Sequence, residues 1–228
     1  MKDQISQTLT PMTPNIVSVF RVILVFITIG FFTLNAPFAI SAFFLTIIVI
    51  YMDSLDGYLA RKLNVASDFG ALLDISGDRI VENTFWIFFA AHGDISFWIP
   101  IIIVTRGFLV DMVRSLAFAE GKTPFGKKTM MQSKFTRFLV SSPFSRSTYA
   151  ITKVIAFCWL GGLIAINKSI ESGYWEISDS LLSSLQIIGQ VFAYSALVFC
   201  VIRGIPVLWD GKEYVLAKRY PKKFNEEN

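Results

Sequence analysis

Between Asp53 and Asp78 the chain reads DSLDGYLARKLNVASDFGALLDISGD, with five aspartates in a stretch that joins two apolar runs. Asp53 and Asp56 are three apart and Asp74 and Asp78 four apart, so on helices each pair shares a face. Gly57 and Gly70 flank the connection and remove side chains where two helices, or a helix and a ligand, must come close. Carboxylates gathered at a membrane boundary repel one another, and each costs about 2.5–3.5 kcal/mol at a helix centre. Hard divalent cations offset that cost, because carboxylate oxygens are their preferred ligands. Two such ions side by side would let four carboxylates stay ionised and would clamp a diphosphate. A solvated acidic turn is the plain alternative. It accounts for scattered Asp, but not for Gly and Ala at fixed offsets or for Arg61 on the same helix.

The elements that must position these groups are membrane helices. The chain is 54% hydrophobic and only 17% charged, against about 45–50% and 25% in soluble domains. Six apolar runs, at about 16–34, 38–60, 71–91, 96–119, 148–167 and 185–207, are each long enough to cross a hydrocarbon core of roughly 30 Å. The third and fourth carry charges. The expected fold is an all-α integral membrane protein with six transmembrane helices. Residues 1–15 form an N-terminal interfacial segment, with a short helix in QISQTLTPMTPN; 16–207 form the six-span domain, and 208–228 a cytoplasmic basic tail. The first fifteen residues hold one Lys and two Pro, with no apolar core ahead of a small-residue cleavage site, so no signal peptide is read there. Cys158 and Cys200 both fall in apolar runs and read as small buried hydrophobes without a disulfide.

Orientation follows from the basic residues. With both termini cytoplasmic, the cytoplasmic segments hold Lys2, Arg61, Lys62, Lys122, Lys127, Lys128, Lys134, Arg137, Arg146 and the basic tail, while the opposite loops hold only Lys168. The Asp-rich stretch then faces the cytoplasm. The net charge of +4 is explained by topology and by attraction to anionic membrane lipid, with no nucleic acid as partner. The single His, His92, falls in an outer loop, which argues against histidine-based acid–base chemistry.

Asp56-Gly57, Ala60-Arg61, Gly70, Asp74 and Asp78, preceded by Asp53, reproduce D-x2-D-G-x2-A-R-x8-G-x3-D-x3-D, and in this the chain resembles the CDP-alcohol phosphatidyltransferases. The resemblance implies a six-span enzyme, often homodimeric, that displaces CMP from a CDP-linked donor such as CDP-diacylglycerol with an alcohol. It implies that Asp53, Asp56, Asp74 and Asp78 bind two divalent ions, Mg2+ or Mn2+. Asp56, Gly57, Ala60, Arg61 and Gly70 would line the CDP pocket. Asp78 would also act as the catalytic base for the acceptor hydroxyl.

A second resemblance concerns the acceptor. TPNIVSVFR, ending at Arg21, is similar to the N-terminal PNxLTxxR of the phosphatidylglycerophosphate synthases of that family, with Val17 and Ser18 in place of Leu and Thr. Arg106, Arg114 and Gly121 match their spacing, with Gly107 where they carry Glu, and GKKTMMQ is similar to a shortened GKxKTxxQ. Arg106 and Arg114 are eight apart, close to two helical turns, and Lys127, Lys128, Lys134 and Arg137 follow. Such residues suit a phosphate-bearing acceptor, of which glycerol 3-phosphate is the first choice. The plainer reading pairs Arg106 with Asp111 or Asp78 and leaves the loop cations to topology. Inositol phosphate, inositol, serine or choline are alternative acceptors; a cation-binding membrane transporter is the alternative of another class. The aromatic residues read as lipid-facing or packing groups, and Gly161-Gly162 as a close helix contact within the chain or between subunits.

Overall fold

A computed structural model describes residues 13–62, 68–119, 121 and 129–216; at 13–14, 54–62, 68–69, 71 and 216 it describes the backbone. The described residues form seven helices and no strand: α1 (Thr13–Phe32), α2 (Ala36–Lys62), α3 (Asp68–His92), α4 (Trp98–Ala119), α5 (Lys134–Ser141), α6 (Pro143–Glu171) and α7 (Asp179–Leu216). Every expected apolar run lies on a helix of its own. Asn15–Phe32, Ala36–Asp53, Pro143–Glu171 and Asp179–Val215 are long and apolar enough to cross a membrane. The 25 residues of α3 and 22 of α4 reach about 38 and 33 Å at 1.5 Å per residue, but carry the charges the sequence puts there. The expected N-terminal segment falls mostly outside the described residues. α7 runs on past residue 207, and Pro206 inside it has no N–H to give to the carbonyl one turn back.

The helix ends follow local chemistry. After α3 and again after α6 a glycine takes the left-handed conformation, Gly93 at φ 95 and Gly173 at φ 73. The paired bonds Gly93 N–H to Ala90 O and Asp94 N–H to Phe89 O, and Gly173 N–H to Ile170 O and Tyr174 N–H to Ser169 O, satisfy carbonyls a helix end would orphan. The short α5 starts at a reciprocal cap in which the Ser133 hydroxyl accepts from the Thr136 N–H, and Thr136 accepts from the Ser133 N–H.

Two compact units are present. The first comprises residues up to Pro100 with Lys153–Tyr194, and its core is aromatic. Phe157 of α6 packs against Phe85 and, edge to face, Trp86 of α3 with centroids 5.1 and 4.7 Å apart, and Phe32 of α1 stacks on Phe88 at 5.6 Å. Trp159 Nε1 donates to the Leu185 carbonyl at 2.9 Å. Gly161 and Gly162 pack within the chain: a Cβ at Gly161 would meet Phe32 Cζ at 3.0 Å, and one at Gly162 would meet Phe43 at 3.5 Å. The second unit comprises Ile101–Thr152 with Ser195–Asn228. Its core is aliphatic, from Val110, Val113, Ala117, Met130, Met131, Val140 and Val207.

The Gly161 contact gives a direct check on the packing. Phe32 is fully buried, so Gly161→Leu overpacks it and is expected to destabilise the protein by roughly 1–3 kcal/mol. Gly30→Leu, where nothing lies within 4 Å of the added Cβ, is expected to be neutral. Thermal unfolding of both variants in one detergent makes the comparison.

Candidate active site

The site is assembled from three helices of the first unit. Asp53 lies on α2, and Asp74 and Asp78 lie one turn apart on α3. Their carboxylates each offer an oxygen such that the three oxygens lie within 4.8 Å of one another. The i, i+4 spacing on α3 therefore does what it implies, and α2 brings the third acid to the same place. Asp56, Gly57, Ala60 and Arg61 sit on the last turns of α2, where the backbone alone is described, and Gly70 sits in the first turns of α3.

A cation completes the cluster. Arg21 of α1 is 1% exposed, while the Asp53 and Asp78 side chains are half-exposed, at 49% and 48%. Its Nη1 donates to Asp53 Oδ1, and its Nη2 donates to Asp78 Oδ1 at 2.5 Å. The fork of the guanidinium thus ties α2 to α3 through two acids, which a lysine cannot do. Arg21 lies against α3 beside Gly77, where an added Cβ would stand in van der Waals contact with Nη2 at 3.4 Å. The sequence offered one signal for this role: an arginine inside an apolar run needs an anionic partner.

One turn beyond Asp78 on the same face of α3, Glu82 accepts from Lys153 Nζ of α6 at 2.7 Å, with side chains 9% and 21% exposed. Lys153 is also within electrostatic range of Asp53. Asp74, Asp78 and Glu82 thus form an acidic stripe met by cations from two other helices.

The candidate acceptor residues lie in the second unit, apart from Lys127 and Lys128, which fall outside the described residues. Arg106 and Arg114 are half-buried on α4, each with a buried Nε that has no hydrogen-bond partner. Asp111 stands 3.8 Å from Arg114, so the expected pairing of Asp111 goes to the residue three along, one helical turn away. Arg106 instead lies across α7: a Cβ at Gly204 would stand 2.6 Å from its Nε and 2.8 Å from its Cγ. Lys134 and Arg137 are exposed on α5. Two arginines that were not among the expected acceptor residues, Arg203 and Arg146, accompany Arg106. Arg203 of α7, 8% exposed, lies within electrostatic range of both Arg106 and Arg146. It donates to the Ser145 carbonyl at 2.6 Å and the Val140 carbonyl at 3.3 Å, and stands 5.5 Å over the Tyr149 ring. It therefore straps the α5–α6 corner. Asp210 fixes the other end of α5, accepting from the Thr136 hydroxyl at 2.6 Å and the Gln132 N–H at 2.9 Å. His92 closes α3 and pairs with Asp94 at 3.0 Å, apart from the acids.

The donor set of Asp53, Asp74 and Asp78 is all oxygen, anionic and close-spaced, which fits a hard divalent ion and no softer metal. Helices of membrane length with this cluster define an integral membrane protein with an acidic site suited to such an ion. The comparison with known proteins is specific. A family model described as CDP-alcohol phosphatidyltransferase matches residues 11–209, and the chain belongs to that family. Several similar proteins carry the name CDP-diacylglycerol--glycerol-3-phosphate 3-phosphatidyltransferase. The one from Mycoplasma genitalium is 30% identical over 67% of this chain and 66% of its own length. The one from Wigglesworthia glossinidia brevipalpis is 32% identical over 71% of this chain and 92% of its own. A probable phosphatidylglycerophosphate synthase of Mycobacterium tuberculosis is 32% identical over 32% of this chain and 34% of its own length. The chain thus spans just under two thirds of the Mycoplasma genitalium relative.

The Glu82–Lys153 pair predicts a non-additive result. Lys153→Met leaves a buried carboxylate without its cation and is expected to cost about 3–5 kcal/mol, whereas adding Glu82→Met to it should recover much of the loss. Unfolding of the single and double variants in detergent measures the coupling; equal losses would mean that the pair does not hold α3 to α6.

Proposed function

We propose that this chain transfers the phosphatidyl group of CDP-diacylglycerol to glycerol 3-phosphate and releases CMP. The observation that carries the reading is the meeting of Asp53, Asp74 and Asp78 at the positions the family motif requires. In this reading Asp53, Asp56, Asp74 and Asp78 hold two divalent ions, Mg2+ or Mn2+. When bound, such ions neutralise the diphosphate and make CMP a better leaving group. Gly57, Ala60, Arg61 and Gly70 border the CDP moiety. Asp78 takes the proton of the acceptor hydroxyl as its oxygen bonds to the phosphorus that carries the diacylglycerol. The bond from that phosphorus to the CMP oxygen breaks, and CMP leaves. Reactions of this type need charge compensation and alignment more than covalent help, and no Ser–His or Cys–His constellation is called for.

The choice of acceptor is supported by the printed names of the relatives and by the arginines of the second unit. Arg203 lies within electrostatic range of both Arg106 and Arg146, and a phosphate would compensate these like charges. Arg114, Lys127, Lys128, Lys134 and Arg137 extend the basic surroundings. The same reading has all six long helices spanning the membrane, the acidic site and both termini cytoplasmic, and the protein a homodimer.

The decisive assay is CMP release by purified protein from CDP-diacylglycerol with Mg2+ or Mn2+, run against a panel of acceptors. Glycerol 3-phosphate is expected to support release; inositol phosphate, inositol, serine or choline doing so in its place would overturn the acceptor, and no release with any of these would overturn the transferase. Gly204→Ala probes the arginines without touching a charge. It forces the Arg106 side chain aside and should raise the KM for glycerol 3-phosphate about tenfold, as for a lost charge-assisted hydrogen bond, with the KM for CDP-diacylglycerol nearly unchanged.

A further inference from the structure

The geometry points to Arg21 as an internal competitor of the divalent ion: its guanidinium and the ion are alternative partners of the carboxylates of Asp53 and Asp78. The inference rests on the reading of Asp53, Asp74 and Asp78 as the ion site. Arg21 engages Oδ1 of Asp53 and Oδ1 of Asp78, so two of the six oxygens of the three carboxylates are taken. A Mg2+-type ion wants near-octahedral oxygen coordination. Binding it at this cluster either loosens one of the guanidinium bonds or sets an arginine charge beside the ion. Each raises the dissociation constant.

The burial makes the competition strong. At 1% exposure Arg21 has little water to retreat to, and its Nε is already a buried donor without a partner. Nη2 lies against α3 beside Gly77. Releasing the carboxylates therefore costs Arg21 its compensation within a low-dielectric surrounding. In return, the three carboxylates are not left as three bare negative charges in the absence of any other cation.

This role has a sign opposite to that of a structural clamp. If Arg21 only held Asp53 and Asp78 in place, its removal would scatter the ligands and weaken ion binding. If it competes, its removal strengthens ion binding, an outcome that misfolding cannot imitate. Arg21→Gln is expected to bind Mn2+ about tenfold more tightly than the unsubstituted protein, on the scale of one charge-assisted bond no longer broken. Arg21→Lys should fall between the two, because an ammonium keeps the charge but cannot fork across two acids.

Mn2+ titration followed by electron paramagnetic resonance tests this on the purified full chain in detergent, with Asp74→Asn as the reference for the site. Asp74→Asn is expected to weaken binding. With that established, unchanged or weaker binding by Arg21→Gln overturns the competition. Should Arg21→Gln not survive purification, Arg21→Lys decides, and unchanged affinity overturns it equally. Absent Mn2+ binding, or binding indifferent to Asp74→Asn, would instead overturn the ion site itself and the competition with it.

Discussion

Three carboxylates drawn to one place on membrane-length helices cannot be left uncompensated, and the first unit is arranged around that electrostatic demand. Arg21 meets it from α1 by reaching Asp53 on α2 and Asp78 on α3 together. Each of these bonds is a charge-assisted contact between a buried guanidinium and a half-exposed carboxylate, stronger than a bond between neutral groups. Lys153 of α6 answers Glu82 one turn further along α3. Four helices of the unit are thus tied by charge as well as by the aromatic packing of Phe32, Phe85, Phe88 and Phe157. The acids that would hold an ion are also what fixes the helices that carry them.

Glycine recurs where a cation must lie against a helix. Gly77 admits Arg21, and Gly204 admits the whole side chain of Arg106. At Gly204 an alanine methyl would press on the side chain, at Gly77 it would only touch it, and in both places the arginine keeps a buried Nε without a hydrogen bond. Close approach of backbone and charged side chain is a membrane-protein solution, since hydrocarbon offers no solvent to a guanidinium that stands away from its partners. Elsewhere the same absence of a side chain serves apolar contact, as with Gly161 on Phe32.

Much of this was legible in the sequence. Six apolar runs announced six helices, and the spacing of Asp74 and Asp78 gave the orientation of their side chains on α3. What escaped depends on distance along the chain. Arg21 is 32 residues from Asp53 and 57 from Asp78, so no local pattern joins them, although an arginine within an apolar run asks for an anion. The same rule would have flagged Arg203, whose partners are backbone carbonyls and therefore carry no sequence signature. α5, at eight residues, is shorter than any membrane-length window, and its one signal is the Ser133–Thr136 cap. The helix ends were underestimated because hydropathy stops where water begins, whereas backbone hydrogen bonding continues. α7 reaches Leu216 through Lys212 and Glu213, and α6 starts at Pro143, ahead of its apolar run, in a proline whose missing N–H suits a first turn.

The central claim is that Asp53, Asp74 and Asp78 form one divalent-ion site. Anomalous diffraction at the manganese edge, from crystals grown in a lipid mesophase and soaked with Mn2+, locates such an ion directly. The account predicts an anomalous peak within coordination distance of oxygens from all three carboxylates, at roughly 2.0–2.6 Å as for hard cations. A crystal that shows its Mn2+ elsewhere, with these carboxylates ordered and no peak among them, would contradict it.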